Sequence, residues 1–505
     1  MESARSSLKR ATKWATASNI TSEGVVALVT FTLAALLRPE QFGLVGMAYL
    51  FIVFIEVLLG FGFSTALIQR HDLRDEHLTS VFWLNMLTGT LFGSLAILLS
   101  GWWAKANHAA DLQPVVIVLS ALVPVQGLCI VQTALLQRQM DFRHLAIRSI
   151  SGTAAGGVTG IALALAGFGV WALVGQHLVR ESVSAALLWR FSSWRPTLSF
   201  KFSAICSLAG YSWRVLAGQI GVFFQNQTES LIMGLFFGPA AVGFYRFADR
   251  LVEMSLKLFP RAVQVVSLAH FSRLQGDLHK LNRDFLRSCH LVCCATVPLL
   301  ALMAGTADFV MGALGRHWLP AAPVLRILTF VGLSKVIILL VGSLLQSVSR
   351  PGTHSFNVWA FAIVNAGGLV AVSRLFGNAP VGQQVVAVAA TRAMFFWLVF
   401  TPLLLVQARR ASGLSLRCLW HRGSPPLVCG AILVGVLLML HALLTALLPG
   451  RALLGLLASV VLATGVWPVT ARVFDQEGYA LIQQILSRIR LTVRPVAKKS
   501  VVAKT

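Results

Sequence analysis

Six charged side chains lie in one otherwise apolar stretch, FYRFADRLVEMSLKLFPR, at residues 244–261. If the stretch is one helix, which turns by ~100° per residue, all six lie on a single stripe about 120° wide. The stripe has four bases and two acids: Arg246, Asp249, Arg250, Glu253, Lys257 and Arg261. Because arginine binds phosphate oxygens through paired hydrogen bonds, this pattern favours a site for an anionic, phosphate-bearing ligand.

The composition of the chain predicts that this stripe lies inside a membrane. The 505 residues are 56% hydrophobic and 12% charged, with a mean hydropathy of +0.76, whereas soluble domains contain roughly 25% charged residues. Runs of about 20 apolar residues, enough to cross a ~30 Å hydrocarbon core, recur along the chain. We predict an all-α integral membrane protein with fourteen transmembrane helices, at residues 15–37, 43–68, 78–100, 113–136, 146–166, 169–191, 209–237, 240–262, 286–306, 321–346, 355–376, 380–406, 425–448 and 452–472.

The net charge of +24 has the distribution expected of a membrane topology, so nucleic acid is not needed to explain it. With the N-terminus inside, basic clusters fall in the predicted cytoplasmic segments, at residues 5–13, 138–148, 273–287, 409–422 and 488–504. The predicted outer connections hold only Arg38, Lys105, Arg316, Arg374 and Arg451. We therefore predict that both termini are cytoplasmic and that the basic, amphipathic tail lies on the inner leaflet.

Depth in the membrane distinguishes the charged residues. Counted at ~1.5 Å per residue from position 241, Arg250 lies about 13 Å into the membrane, near its midplane. A lipid-facing arginine there would cost about 2.5–3.5 kcal/mol, so the stripe must face protein or water. Other charges are predicted at mid-membrane depth: the bases Arg180, Lys335 and Arg392 and the acids Glu23, Glu56 and Glu229.

Two interpretations of these charges stay open. In the first they neutralise each other, with Arg246 beside Asp249 on one helix, and with Glu253 beside Lys257. In the second they line a cationic, partly compensated cavity between two lobes. The second predicts that six bases bind substrate and four acids serve a coupling ion or a gate: Arg250, Arg246, Lys257, Arg180, Arg392 and Lys335, and Glu23, Glu56, Glu229 and Asp249.

Three short sequence matches predict a duplicated six-helix unit. LLRPEQFGLV at 36–45 resembles FFGPAAVGFY at 236–245, which aligns Pro39 with Pro239 and Gly43 with Gly243. LLQ at 135–137 recurs at 344–346, and VGQHLV at 174–179 resembles VGQQVV at 381–386. Because six is even, the copies would insert the same way up, related by a pseudo-two-fold axis along the membrane normal.

The predicted organisation follows from this duplication. It comprises a basic cytoplasmic tail, an N-lobe with spans 1–6, a C-lobe with spans 7–12, two additional C-terminal spans and a cytoplasmic basic amphipathic tail. The corresponding ranges are 1–14, 15–200, 201–408, 409–473 and 474–505.

Motifs for catalysis or ATP binding are missing from the sequence. It contains neither GxxxxGK[ST] nor HExxH, so we predict no enzyme, no ATP and no resident cofactor. CHLVCC at 289–294 places Cys289 and Cys293 on one helix face beside His290, but without a fourth ligand we favour packing residues over a metal site. No disulfide is expected, because all seven cysteines are predicted in the membrane or on the cytoplasmic side.

Several longer motifs resemble those of a known family. They are LLRPEQFGLVGM, LGFGFSTALIQR, TSVFWLNMLTG, LLQRQMDFRHLAI, AGFGVWALVGQ and SWRPTLSF in the first half, with FFGPAAVGFYRFADRL and HFSRLQGD in the second. The sequence resembles the Wzx-type flippases, the colanic-acid and capsule exporter branch of the multidrug/oligosaccharidyl-lipid/polysaccharide (MOP) superfamily. The resemblance covers roughly residues 15–350, and the remainder only in hydropathy.

This resemblance implies a two-lobed fold and a transport function. A member of this branch is expected to move an undecaprenyl-pyrophosphate-linked sugar repeat unit across the bacterial inner membrane by alternating access, with a polysaccharide polymerase and chain-length proteins as possible partners. Arg250 stands where the family commonly has arginine, whereas Arg246 and Glu23 are less typical. H⁺ or Na⁺ and the membrane potential are the expected sources of coupling energy.

Three other functions are compared with this expectation. A membrane polymerase is expected to have a large outer loop, whereas the longest predicted here, 307–320, is short. A drug or cation antiporter of the same superfamily would favour an acidic cavity, which the base-rich midplane contradicts. A lipid II flippase is separated from an exopolysaccharide flippase only by the family resemblance.

Overall fold

The computed structural model describes residues 21–60, 63–70, 72–258, 260–274, 276–348, 351–447, 452–480 and 483. Within these ranges the chain is α-helical and contains no strand, as predicted. Most of the predicted C-terminal tail, and all of the N-terminal tail, fall outside these ranges.

The first half of the chain, before residue 201, forms nine helices. They are α1 (Thr21–Leu36), α2 (Pro39–Gly60), α3 (Phe63–Gln69), α4 (Asp75–Ala106), α5 (Leu112–Leu119), α6 (Leu122–Gly127), α7 (Ile130–Arg138), α8 (Phe142–Leu165) and α9 (Val170–Phe191). The fourth predicted span is broken: the helices at Leu112–Gly127 and Ile130–Arg138 meet at a bend of 44°. Within its first part, Pro124 lacks the backbone N–H that would continue the helix from Ser120, which accounts for the separation of α5 from α6.

The second half contains longer helices. They are α10 (Phe202–Phe237), α11 (Pro239–Leu258), α12 (Pro260–Arg273), α13 (Leu278–Gly305), α14 (Ala307–Leu314), α15 (Ala321–Ser347), α16 (Pro351–Leu375), α17 (Val381–Phe395), α18 (Thr401–Ser412), α19 (Leu416–Leu447) and α20 (Ala452–Phe474). A 3₁₀ turn at Arg316–Trp318 precedes α15, and a π-helical turn at Phe396–Phe400 joins α17 to α18. Residues 476–480 are again helical.

In the described residues, each of the fourteen predicted spans overlaps one or more helices. Among the described residues, eight helices are long and apolar enough to cross a membrane, or nine if the bent pair counts as one span. The predicted spans outside this set correspond to α1, of which 16 residues are described, and to α8, α9, α10 and α11. Charged or polar residues such as Arg180 on α9 and Glu229 on α10 lower the hydropathy of these helices. The number fourteen therefore stays a prediction, whereas the multi-pass, all-helical architecture is shown.

The two halves meet most closely where α2 crosses α11. A Cβ atom added at Gly43 would lie 1.7 Å from the Pro239 carbonyl oxygen, and one added at Gly243 would lie 1.9 Å from that of Pro39. Only glycine permits backbones to approach this closely. The contact is reciprocal and joins the residues that the internal repeat aligns, as expected if α2 and α11 are equivalent. The symmetry of the complete lobes stays a prediction.

An aromatic cluster surrounds this crossing. Trp318 is fully buried, and its indole N–H donates to the carbonyl oxygen of Ala34 on α1 at 2.8 Å. The Trp318 ring lies 5.5 Å from Phe42 of α2 and 4.6 Å from Phe247 of α11, measured between ring centroids. Because these rings come from both halves, they close the space between the halves at the end predicted to face outward.

Candidate functional site

The helix α11 positions five of the six charged residues of the predicted stripe. It begins at Pro239, after Gly238 with φ +81°, and ends at Leu258. Arg261 lies in the next described helix, α12.

Three arginines from both halves converge at the face of α11 that meets the first half. The charges of Arg180, Arg246 and Arg250 all act on the imidazole of His177, whose ring stacks on Tyr49 with a centroid distance of 4.8 Å. Arg180 and His177 belong to α9 and Tyr49 to α2. We call Arg180, Arg246 and Arg250 the arginine cluster.

Two members of the arginine cluster lack an acidic partner. In the part of the chain that the structure describes, Arg246 and Arg250 have no carboxylate within ion-pairing distance, and both are half-buried. Arg246 donates through Nη1 to Gln227 Oε1 at 3.2 Å. Its side chain crosses α2 at Gly46, where an added Cβ would lie 2.8 Å from Arg246 Cδ. Arg180 Nε lies 3.4 Å from Glu181 Oε1, although the Arg180 side chain is 41% exposed.

The other predicted bases are paired with carboxylates. Arg392 on α17 is 2% exposed, and its Nε lies 3.0 Å from Oε1 of Glu229 on α10, which is 1% exposed. Arg392 also contacts the Tyr245 hydroxyl and lies 3.6 Å from Asp249 Oδ1. Asn365 donates to Glu229 Oε1 at 3.2 Å. This network neutralises two buried charges within the second half.

Lys335 on α15 neutralises the two acids of the α11 stripe. Its Nζ lies 2.6 Å from Glu253 Oε1 and 3.5 Å from Asp249 Oδ1. A cavity of about 160 Å³ opens beside Lys335, Arg392 and Glu253. Asp249 is thus shared between Lys335 and Arg392, so that in the described residues Arg246 and Arg250 on the same helix form no ion pair, although the Asp249 charge still acts on Arg246.

A further ion pair joins the two halves away from the Gly43–Gly243 crossing. Lys257 Nζ, at the end of α11, lies 2.9 Å from Glu23 Oε1 at the start of α1. The two side chains are 26% and 22% exposed. By the predicted topology this pair lies on the cytoplasmic side, where it ties α1 to α11.

Among the described residues, Glu56 is the one acid of the four predicted for coupling that forms no ion pair, and it accepts from the side-chain amide of Gln126. A neighbouring cavity of about 280 Å³ in the first half is lined by Gln126, Arg148 and Glu181. Arg148 donates to Ser184 Oγ at 2.8 Å and to Thr133 Oγ1 at 2.9 Å.

The sequence analysis missed several members of these sites. His177 stands three residues before Arg180 on α9, a spacing that places both on one helix face. Tyr49 and Gln227 carry no charge. Their residue types therefore did not distinguish them from ordinary packing residues of their spans. Arg148 was assigned to a cytoplasmic topology cluster, because its distance from Arg143 suggested one basic segment.

Comparison with solved structures defines the fold class. The chain superposes on the lipid II flippase MurJ, in an inward closed conformation, with a TM-score of 0.64 over 91% of this chain and 97% of MurJ, at 12% identity. An inward-facing multidrug resistance MATE family transporter of the MOP superfamily gives a TM-score of 0.56 over 77% of this chain and 96% of the transporter, at 15% identity. The protein therefore has the fold of MOP superfamily transporters.

Sequence comparison identifies the family within this fold. The family profile described as polysaccharide biosynthesis protein matches residues 32–323, more than half of the chain, and the chain belongs to this family. The resemblance drawn from the sequence motifs is confirmed.

Curated relatives agree with this assignment. The succinoglycan biosynthesis transport protein ExoT of Rhizobium meliloti is 25% identical over 77% of this chain and 79% of ExoT. The lipopolysaccharide biosynthesis protein WzxC of Escherichia coli is 27% identical over 69% of this chain and 71% of WzxC. The teichuronic acid biosynthesis protein TuaB of Bacillus subtilis is 24% identical over 70% of this chain and 78% of TuaB.

Proposed function

We propose that the protein is a flippase that moves an undecaprenyl-pyrophosphate-linked oligosaccharide repeat unit across the bacterial inner membrane for exopolysaccharide or capsule synthesis. The family and the names of its relatives, which include transport and lipopolysaccharide biosynthesis proteins, support the substrate class. The observation that carries the proposal is the pair Arg246 and Arg250, which lie between the halves without a carboxylate partner in the described residues.

The chemistry of this pair suits a pyrophosphate. Two guanidinium groups one helical turn apart present donors to several oxygens of one anionic group, and guanidinium gives up water more readily than ammonium. Arg180 adds a third donor group from the first half. A headgroup bound by Arg180 and Arg250 together would contact both halves, so its binding would depend on how the halves are arranged.

The distribution of inter-half contacts supports alternating access as the mechanism. The Gly43–Gly243 crossing and the Trp318 cluster close one end, while the pair of Glu23 and Lys257 ties the halves at the other. An ion pair between partly exposed groups is weaker than buried packing and can open repeatedly. We propose that the Glu23–Lys257 contact opens to admit substrate from the cytoplasmic side.

The substitution Arg250→Gln tests the assignment. Gln removes the charge and shortens the side chain while it keeps a polar end, so export of the polymer should fall at least tenfold while the protein stays abundant in the membrane. Arg250→Lys should retain part of the activity, because a single ammonium group supplies charge without paired donors. The matched control is Arg410→Gln, an exposed arginine in the last turn of α18.

The readout is transport of a lipid-linked pyrophosphate oligosaccharide in proteoliposomes, together with complementation of an export-deficient strain. Wild-type transport by Arg250→Gln would overturn the assignment of Arg250. Transport of lipid II in preference to the repeat unit would favour the cell-wall function. Efflux of a cationic dye, with no lipid transport, would favour a drug antiporter.

We further propose that the membrane potential assists export. A pyrophosphate diester carries about two negative charges, and moving them outward across an inside-negative potential releases ~4.6 kcal/mol per 100 mV. Glu56 is the preferred proton carrier for the return step, since its amide partner allows protonation without breaking an ion pair. If transport in proteoliposomes responded neither to an imposed potential nor to H⁺ or Na⁺ gradients, this coupling would be excluded.

A further inference from the structure

Another buried polar cluster lies in the second half, where the residue directly after α20 meets the middle of α13. It consists of His290 and Cys294 on α13 and Asp475 directly after α20, with exposed fractions of 7%, 5% and 4%. We propose that these three residues form a binding site for a divalent transition-metal ion of the zinc type. The proposal is independent of the transport function.

The three side chains offer the ligand types that zinc prefers. Zinc binds imidazole nitrogen, thiolate sulfur and carboxylate oxygen, commonly with three protein ligands and a fourth open position. His290 and Cys294 are four residues apart, which places both on one face of α13. The sequence analysis instead paired His290 with Cys289 and Cys293, because it could not place Asp475 beside this helix.

The distances between the ligand atoms fit one ion. Cys294 Sγ lies 3.4 Å from His290 Nε2 and 3.2 Å from Asp475 Oδ2, while Asp475 Oδ1 lies 3.2 Å from His290 Nε2. With bonds of about 2.0–2.3 Å, the ligand atoms of a tetrahedral zinc site are about 3.3–3.6 Å apart. The carboxylate of Asp475 places one oxygen near each of the other two ligands, so it can bind through either oxygen.

The hydrogen bonds around the cluster direct the ligand atoms inward. His290 Nδ1 lies 2.8 Å from the carbonyl oxygen of Arg422, and since a carbonyl only accepts, Nδ1 carries the proton. In the neutral ring Nε2 is then unprotonated and faces Cys294 and Asp475, which is the arrangement that outer hydrogen bonds impose on metal-bound histidines. Asp475 Oδ1 accepts from the backbone N–H of Gly478 at 2.9 Å, which fixes the carboxylate as the N-cap of the following helical turn.

Gly478 keeps the backbone close to the cluster. A Cβ atom added there would lie 2.3 Å from Asp475 Oδ2 and 2.9 Å from Cys294 Sγ. Any other residue at position 478 would therefore occupy the space beside these two ligand atoms.

Binding releases two protons. In the structure the Cys294 thiol donates its hydrogen to Asp475 Oδ2, and the Nε2–H of His290 donates to Asp475 Oδ1 at 3.2 Å. On binding, both protons pass to solvent, and the divalent ion is held by one thiolate, one carboxylate and one neutral imidazole. The two negative ligand charges balance the ion. An ion bound in this way would tie the segment after α20 to α13.

Cobalt(II) and zinc(II) added to the purified full-length protein test this site. The protein, without an affinity tag, is dialysed against a chelator in detergent and then titrated. We expect about one ion per chain, with the thiolate-to-cobalt charge-transfer absorption of a sulfur-containing site. Cys294→Ser should abolish that absorption, and Asp475→Asn should weaken binding at least tenfold. Cys293→Ser is the matched control, since Cys293 instead lines an apolar cavity, and it should bind like the wild type.

Circular dichroism confirms that each variant is folded. The wild-type titration decides the matter even if Cys294→Ser does not fold, because a protein that takes up no cobalt, or takes it up without the thiolate band, contradicts the site. Loss of binding in Cys293→Ser equal to that in Cys294→Ser would also overturn the assignment of ligands.

Discussion

Gly43 of α2 and Gly243 of α11 face each other across the contact between the two halves, and each lies against the proline that begins the other helix. The two residues stand 200 positions apart in the sequence and four positions after Pro39 and Pro239, respectively. Both halves therefore use the same short segment, proline followed by glycine at the fifth position, to make one shared contact. Arg246 and Arg250 of the arginine cluster lie about one and two turns further along α11.

Substitution of either glycine by alanine should separate the helices. The added methyl groups would lie 1.7 and 1.9 Å from carbonyl oxygens of the backbone, which cannot rotate away as a side chain can. We expect Gly43→Ala and Gly243→Ala each to destabilise the protein by about 1–3 kcal/mol, the usual cost of overpacking. Gly435→Ala, on α19 with no atom within 4 Å of the added Cβ, is the control and should leave the thermal midpoint unchanged or raise it. The measurement is thermal unfolding in detergent, and equal midpoints for Gly43→Ala and Gly435→Ala would contradict the close contact.

Removal of one partner of the buried pair Arg392–Glu229 should destabilise the protein more than removal of both. The side chains are 2% and 1% exposed, so Glu229→Gln leaves a buried guanidinium with reduced compensation. Loss of one partner of such a pair costs about 3–5 kcal/mol, whereas replacement of both by neutral residues is often nearly neutral. We therefore expect Glu229→Gln combined with Arg392→Met to be more stable than the sum of the single effects predicts.

A double-mutant cycle on thermal unfolding measures this coupling. The control is the pair Lys201–Glu76, whose side chains are 53% and 45% exposed, and whose removal should change the midpoint little. Strict additivity of the effects at 229 and 392 would show that the two charges do not depend on each other.

Reversal of the charges at positions 23 and 257 should be tolerated only in combination. Glu23→Lys places two bases together, and Lys257→Glu places two acids together, at a contact of 2.9 Å that joins the halves. Each single reversal should lower stability by about 1.5 kcal/mol or more, the contribution of a hydrogen bond between charged groups. The double reversal should restore most of that loss, in thermal unfolding and in polymer export. A double variant no better than the worse single variant would refute the pairing.

The positions of the helices and the residues that share one helix could be predicted from the sequence, because hydropathy and helical periodicity determine them. In the described residues each of the fourteen apolar segments overlaps one or more helices, and the charged residues from Arg246 to Lys257 share one helix, because both features depend on local spacing alone. Contacts between side chains on different helices depend on which helices pack together. The spacing of residues along the sequence does not contain this information. The sequence could therefore place Lys335 at the depth of the α11 stripe but could not show that it joins Asp249 and Glu253.

The same limit explains the differences at the two buried clusters. The sequence predicts Glu229 at the same membrane depth as Arg250. In the structure Glu229 instead pairs with Arg392 of α17, which lies 163 positions later in the chain. His290 was compared with the thiols in its own helix, although Asp475 reaches it from the end of α20. The internal repeat aligned Gly43 with Gly243 without predicting that they touch, and their contact is a finding of the structure.

The predicted orientation can be checked with the chain's own cysteines. Cys206, near the start of α10, and Cys418, near the start of α19, are exposed, and the positive-inside distribution places both on the cytoplasmic side. A membrane-impermeant maleimide should label them in inverted vesicles and not in intact spheroplasts. Asn378→Cys, in the exposed connection between α16 and α17 that is predicted to face outward, should show the opposite pattern. Each label is assigned in a variant in which the other exposed cysteines are replaced by serine. If Cys206 or Cys418 were labelled in intact spheroplasts, the orientation would be reversed, and with it the side from which the Glu23–Lys257 contact admits substrate.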